Sequence, residues 1–437
     1  MPTMTYEEAL TWWFSRINYE VRSATPRDLK LERMRALLQL LGNPQDRLRL
    51  IHVTGTKGKG STCAMLAAVL QSAGYRVGLF TSPHLEHVSE RIQVNRVPIS
   101  APELTARLSE VRPAVAAVER FSPPVTFFEI STATGFLHFL YRRCDVAVIE
   151  VGLGGRYDST NVCRPVVSVI TNIGYDHMAQ LGPTLEAIAY QKAGIIKRGV
   201  PVVSGERQQG PRVVIQTVAA QQAAPLIEVP ETLRRAAQGY SLALAGEHQR
   251  DNAAVALTVI DCLRRTGWHI PEQAVRQGLA QVDWPARVEC LHRQPLVILD
   301  TAHNVPSIEA LVATLQQTAP VCGRRRLIFA VSSDKDYPTM LRLLAQAFDE
   351  FYLTRYGTNP RCVPPERLAE ILVDLVPKHV RVRVFAQSHL AWSAAWTDVR
   401  PDDLICITGS VFLAGELRAR IRSDVASASP APRLVPS

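Results

Sequence analysis

Hydrophobic positions along the chain fall into two successive alternations of apolar runs and helical patterns. LRLIHVTG (48–55) is a short apolar run closed by glycine and reads as a buried strand. STCAMLAAVLQSAG (61–74) follows with helical spacing and a closing Gly74. YRVGLFTS (75–82), CDVAVIEVG (144–152) and PVVSVITNIG (165–174) are further near-continuous apolar runs, the pattern of parallel strands covered on both faces. Helical patterns at 101–119, 129–141 and 184–196 complete this part. Strands alternating with helices predict a doubly wound α/β domain.

A second alternation begins near residue 295. PLVILD (295–300), RRLIFAVS (325–332), EFYLTRY (350–356), HVRVRVF (379–385) and DDLICITGS (402–410) read as strands separated by helical patterns. DWPARVECLHRQP (283–295), with its prolines and weak periodicity, reads as a linker. The end of the chain, SDVASASPAPRLVPS, lacks apolar periodicity and is expected to be disordered. The expected organisation is an N-terminal domain over 1–290, a C-terminal domain over 291–424 and a tail over 425–437.

Composition changes this picture little. With 47% hydrophobic and 20% charged residues in 437, the chain is long enough for two or three cores. No apolar run reaches the ~18 residues of a membrane span. MPTMTYEEALTWWF carries acids where an export signal carries bases. The eight cysteines are scattered, with no C-x-x-C, which argues against a zinc site or disulfide framework and fits a reducing cytoplasm. The net charge of +9 comes from dispersed residues and not from the basic tract that nucleic-acid binding predicts, and a polyanionic small substrate fits it as well. Only seven of the 49 basic residues are lysines, and four of them are Lys57, Lys59, Lys192 and Lys197. An amine does chemistry that a guanidinium cannot.

Candidate chemistry collects where predicted strands end. IHVTGTKGKGST (51–62) leaves a strand and enters a helix. It departs from G-x-x-x-x-G-K-[ST], because Val53 holds the first glycine's place and Gly60 follows Lys59. Three glycines and two lysines in six residues still fit a phosphate cradle, in which backbone N–H groups face the anion. EVGLGGRYDSTN (150–161) puts Glu150 at a strand end, suited to Mg²⁺. Its G-L-G-G lacks dinucleotide spacing. TNIGYDHMAQLGPT (171–184) puts Asp176 and His177 at the next strand end, with His177 a candidate metal ligand. In IAYQKAGIIKRG (188–199), Lys192 reads equally as solvated or as reaching the metal site. In the second alternation Asp300, His303 and Asn304 of ILDTAHN, SSDKDYP (332–338) and TGS (408–410) end strands of one sheet, which suggests a second ligand region.

Together these stretches resemble the folylpolyglutamate synthase/dihydrofolate synthase family of the Mur ligase superfamily. That family's loop reads T-G-T-N-G-K-G-S, and TGTKGKGS differs at one place. LGNPQ, TSPHL with SERI, EVGLGGRYDSTN, IGYDH, KAGIIK, GEHQRDNA, WPARVE, DTAHN, DKD and TGS follow in the family's order over roughly residues 5 to 420. The resemblance implies a P-loop NTPase-like Mur-ligase central domain followed by a smaller Rossmann-like α/β domain. It implies that the loop residues Gly55, Thr56, Lys57, Gly58, Lys59, Gly60 and Ser61 hold ATP phosphates. Asn252 and Arg287 would contact the phosphates across a domain cleft, and Asp300 the ribose or another part of the nucleotide. Ser82, Glu150 and His177 would hold two Mg²⁺ ions, and Lys192 would be carbamylated. Lys59, Lys192, His177 and His303 would serve catalysis. His303 and Ser410 would receive L-glutamate, and Asp158 lies in the loop associated with the pterin.

The implied reaction forms an amide through an acyl phosphate, on folate or dihydropteroate, in a cytoplasmic monomer without nucleic-acid or membrane partners. Domain closure near Arg287 would exclude water. Peptidoglycan Mur ligases share the chemistry but carry a UDP-binding domain of ~100 residues before the loop. A non-catalytic nucleotide-binding protein would lack a metal carboxylate or Lys192. Four positions depart from the family pattern: Lys57 for Asn, Arg96 for the Gly after Asn95, and Ala286 and Thr301 for glycines in W-P-G-R and D-G-A-H-N. Lys57 is expected to add charge near the phosphates, and the other three to alter local loop geometry.

Overall fold

The computed structural model describes residues 4–20, 30–318, 323–357 and 359–428. The chain forms two compact units, residues 1–243 with 248–283, and 244–247 with 284–437. The change of unit at Asp283/Trp284 precedes the expected boundary at 290/291.

The first unit holds eight strands: β1 (Leu50–Thr54), β2 (Val77–Phe80), β3 (Ile92–Val94), β4 (Val97–Pro98), β5 (Val146–Glu150), β6 (Val167–Ile170), β7 (Val202–Ser204) and β8 (Leu226–Glu228). Their order is β4-β3-β2-β5-β1-β6-β7-β8. All pairings from β2 to β8 are parallel, and β3 and β4 add an antiparallel edge hairpin. β1, β2, β5 and β6 are wholly buried, so periodicity alone identified them, whereas the short β3, β4, β7 and β8 escaped it. Helices Ala101–Val118 and Phe127–Tyr141 start with Ser100/Glu103 and Thr126/Glu129 capping boxes. They pack Leu108, Val115, Phe136 and Phe139 into the core.

The hairpin turn between β3 and β4 uses Asn95 and Arg96 at φ +50° and +64°. Arg96 thus takes the backbone that a glycine would take freely. Its guanidinium donates to Gln71 Oε1 (2.8 Å) and to the Gln281 carbonyl (2.6 Å), ties that only a long side chain provides.

The second unit carries β9 (Glu289–Arg293), β10 (Leu296–Leu299), β11 (Arg325–Phe329), β12 (Glu350–Leu353), β13 (Arg381–Val384) and β14 (Leu404–Thr408), ordered β13-β12-β11-β14-β10-β9. Five strands are parallel and β9 is antiparallel. The expected linker 283–295 therefore contains a strand. β9 is a half-exposed edge strand and shows no clean alternation. The expected tail also begins too early. Helix Val411–Ala428 runs into it as far as Ala428, with Val425 buried and Trp392 Nε1 donating to Asp424 at 2.7 Å. Residues 429–437 lie outside the described residues. Among the described residues no helix is long and apolar enough to cross a membrane.

Candidate active site

β1 lies between β5 and β6, and the chain leaves β1 towards one side and later crosses to the other. Its C-terminal end is therefore a switch point, where open α/β sheets gather ligands. The loop 55–58 stands there. Gly55 has φ +152°, and a Cβ on it would lie 1.8 Å from Thr171 Oγ1. Gly58 has φ +77°, and a Cβ on it would lie 2.0 Å from Asn252 Oδ1. β6 clamps the loop from the side: Thr171 Oγ1 donates to the Lys57 carbonyl (2.5 Å), Lys57 N donates to Asn172 Oδ1 (2.8 Å) and Thr56 N donates to the Asn172 carbonyl (2.9 Å). Sequence reasoning passed over Thr171 and Asn172, although polar residues following a buried strand were the signal.

Gly58 is the N-cap of helix Lys59–Ser72 and supplies no side-chain cap. The first-turn amides, including those of Gly60 and Ser61, thus lack a side-chain acceptor from the cap and suit an anion. Gly58→Ala should weaken ADP binding at least roughly tenfold, since a left-handed alanine alone costs on the order of 1 kcal/mol and the methyl displaces Asn252. Titration calorimetry would measure this, and unchanged affinity would refute the cradle.

Two amines converge on one carbonyl. Lys59 Nζ donates to Gly55 O at 3.1 Å, and Lys192 Nζ donates to the same oxygen at 2.9 Å. Lys192 sits on helix Leu185–Ala193 and is 4% exposed. Burial first, and then the charge of Lys59, hold its pKa well below the ordinary lysine value. Lys57 pairs with Asp176 at 3.1 Å, so the extra charge expected there is largely neutralised.

Glu150, 5% exposed at the end of β5, accepts from Ser82 N at 3.2 Å. His177 has φ +49°, donates its backbone N–H to Asp176 Oδ1 (3.0 Å), and keeps a partly exposed ring. Among the described residues no three His, Cys, Asp or Glu side chains gather as a metal cluster. A buried carboxylate at the end of the strand next to the one that feeds the phosphate loop nevertheless fits Mg²⁺, which keeps water and phosphate oxygens in its shell.

Asp158 points inward. Its oxygens accept from Leu153 N (2.9 Å), Thr160 N (3.0 Å) and Thr160 Oγ1 (2.5 Å), so the carboxylate shapes its own loop. Burial raises its pKa, opposed by the Thr160 bond. Because the Thr160 hydroxyl proton goes to Asp158, its oxygen accepts from His52 Nε2 at 2.8 Å. His52 in β1 is fully buried, and burial, followed by Lys197, lowers its pKa to about 3. The unfolded chain binds a proton near pH 6.5 that the folded chain refuses down to about pH 3, so stability falls as pH falls through that window. Each pH unit there costs up to ~1.4 kcal/mol. Urea unfolding of wild type and His52→Gln at pH 7 and 5 should show the smaller pH loss in the variant. Equal losses would refute the assignment.

In the second unit, Asp300 ends β10. Its oxygens accept from Val288 N (2.9 Å) and Ala302 N (2.6 Å), which ties the residue after Arg287 to the segment that follows β10. Ala286 takes φ +55° in place of a glycine, whereas Thr301 needs no left-handed backbone. The Thr301 hydroxyl reaches the Ala286 carbonyl at 3.4 Å, so these two departures from the family pattern are neighbours. His303 Nδ1 lies 2.8 Å from the Thr301 carbonyl. Ser410 is buried after β14, its hydroxyl accepting from Phe412 N at 3.1 Å. Thr408 Oγ1 donates to the Ala302 carbonyl at 3.3 Å, tying the DTAHN and TGS segments together.

A cavity of ≈ 180 Å³ opens beside the phosphate loop, lined by Asn172, Glu206, Gln208 and Asn252 among others. The larger cavity, ≈ 690 Å³, lies elsewhere, among Arg324, Arg326, Glu350, Arg381 and Arg383 of the second unit. Its central groups serve the fold: Arg326 holds the Ala395, Thr397 and Asp398 carbonyls, and Arg324 pairs with Glu350 at 2.6 Å.

Residues 53–204 match the Mur ligase middle domain, and residues 286–411 match the Mur ligase, glutamate ligase domain. The dihydrofolate synthase/folylpolyglutamate synthase of Bacillus subtilis is 35% identical over 95% of this chain and 99% of its own. The chain belongs to that family. It is an ATP-dependent ligase. The folylpolyglutamate synthase of Lacticaseibacillus casei is 39% identical over 88% of this chain and 93% of its own. Among solved structures, Escherichia coli FolC in complex with DHPP and ADP superposes with a TM-score of 0.82 at 29% identity, covering 97% of this chain and 100% of FolC. Mycobacterium tuberculosis folylpolyglutamate synthase complexed with ADP gives 0.84 at 31% identity, over 95% and 98%. In this ligase of the family, Lys57 replaces the loop asparagine and brings its own counter-ion in Asp176.

Proposed function

We propose that this ligase joins L-glutamate to folates, and also to dihydropteroate, through an acyl phosphate. The observation that carries the reading is the convergence of Lys59 and Lys192 on the Gly55 carbonyl beneath an uncapped helix N-terminus. The loop amides and Lys59 would bind the ATP phosphates, and the adjoining cavity offers room beside them. A substrate carboxylate oxygen then attacks the γ-phosphorus, and ADP leaves. Each unit of anion–anion repulsion at ~4 Å is worth about 4 kcal/mol at an effective dielectric of 20, so Lys59 offsets a large barrier.

Ser82, Glu150 and His177 would hold two Mg²⁺ ions, which would supply further charge neutralisation. Lys192 would act as a carbamate that helps organise the metal site. Asn252, packed against Gly58, and Arg287 would contact the phosphates, and Asp300 would act through the turn it fixes. The Asp158 loop would face the pterin. His303 and Ser410 would receive L-glutamate, whose amine attacks the acyl carbon. Phosphate leaves, and the amine proton passes to solvent.

Support for the dihydropteroate half comes from the relatives named for both activities. Phosphate release with ATP, Mg²⁺ and L-glutamate, comparing 7,8-dihydropteroate with tetrahydrofolate, tests both halves. Turnover on both is expected. Turnover on tetrahydrofolate alone removes the dihydropteroate half, and turnover on neither sinks the folate assignment.

A further inference from the structure

Arg287 sits between two residues in left-handed backbone, Ala286 at φ +55° and Val288 at φ +51°. Neither is glycine, and Val288 is β-branched, for which this region is a true outlier. Such backbone persists only where its surroundings over-determine it, and it clusters at functional sites. The surroundings here are two carboxylates on the two flanking amides. Glu289 Oε2 accepts from Ala286 N at 2.8 Å, and Asp300 Oδ2 accepts from Val288 N at 2.9 Å. Arg287 itself is half-buried and makes no hydrogen bond or ion pair among the described residues.

Asp300 is fixed by its strand and by Ala302 N. Glu289 is fixed from outside its own strand. Arg418, on helix Val411–Ala428, donates Nε to Glu289 Oε2 at 2.9 Å and Nη2 to Oε1 at 2.7 Å. The pair is largely shielded, with 13% and 21% of the side chains exposed. A forked guanidinium on a carboxylate sets orientation as well as charge. Glu289 therefore has one oxygen held by Arg418 alone and one shared with Ala286 N. Losing Arg418 leaves Glu289 free to turn away and the strained turn free to relax.

We infer that Arg418, acting through Glu289, is a positioning residue that holds the Arg287 turn in its nucleotide-binding conformation. This rests on the reading of Arg287 as a nucleotide contact. Arg418 touches no substrate in this scheme. Its loss raises KM for ATP and leaves KM for L-glutamate near its starting value, which a general loss of packing would not do.

The test is a double-mutant cycle on the full chain, with KM for ATP, KM for L-glutamate and kcat measured for Arg287→Ala, Arg418→Ala, Glu289→Gln and Arg287→Ala/Arg418→Ala. Arg418→Ala should raise KM for ATP roughly ten- to a hundredfold, the scale of a small misplacement made away from the chemistry. Arg418→Lys, which keeps the charge and loses the fork, should recover only part. With Arg287 already removed, Arg418→Ala should add little, because coupled residues are non-additive. Full additivity, or equal rises in both KM values, overturns the inference. If Arg418→Ala does not fold, Glu289→Gln gives the same comparison with the guanidinium still in place. An unchanged KM for ATP in Arg287→Ala sinks the underlying reading of Arg287 and the inference with it. A raised value there with an unaffected Arg418→Ala sinks the inference alone.

Discussion

Lys192→Arg is expected to lower kcat by roughly 10²–10³-fold, the scale seen when one preorganised electrostatic group is removed. The substitution keeps a cation of similar length in a site that is 4% exposed. It removes the one property that arginine lacks, a nucleophilic amine. Burial and the neighbouring Lys59 push the Lys192 pKa down, so more of it is neutral at neutral pH than an ordinary lysine would be. A neutral amine adds to CO₂, forms a carbamate and releases a proton. The sign follows: carbamate is favoured as pH rises through the folded pKa and is lost as pH falls below it. The product is an anion beside Lys59, so it replaces a repulsive pair of cations with an attractive one. Labelled bicarbonate should give a carbamate carbon signal in the wild type and none in Lys192→Arg. A variant that retained wild-type kcat would remove the carbamate from the scheme.

Lys59→Ala is expected to cost a comparable 10²–10³ in kcat/KM for ATP, whereas Lys57→Ala should cost less than about tenfold. The two residues are neighbours in the loop but differ in what they face. Lys57 spends its charge on Asp176 at 3.1 Å. Lys59 has only a neutral carbonyl at 3.1 Å and no ion pair among the described residues. Its charge is the one left for phosphate. Steady-state kinetics with both variants decides the matter. Equal losses would mean that the loop's positive charge acts as a whole and that the Asp176 pair does not matter.

The departures from the family pattern show how a chain absorbs a residue that its backbone does not favour. Arg96 accepts φ +64° and anchors its guanidinium on Gln71 and Gln281. Ala286 accepts φ +55° and receives the Thr301 hydroxyl on its carbonyl. In each case the strain is local and the compensating bond comes from a residue distant in sequence. From the sequence, only the strain could be anticipated.

The sequence by itself determined the two α/β alternations, the strand–loop–helix around Gly55–Ser61 and the family. These are carried by local periodicity and by side chains a few residues apart. It misread 283–295 as a linker, because β9 is an edge strand whose half-exposed residues do not alternate. It ended the last helix too early, because the burial of Val425 and the bond from Trp392 to Asp424 come from another helix. It left Lys192 open between a solvated lysine and one that reaches the metal site. The tertiary structure removes the solvated reading, by burying the side chain and bringing an amine 137 residues away onto the carbonyl of Gly55. Burial is a property of everything packed around a residue, and the spacing of a helix does not report what covers its face.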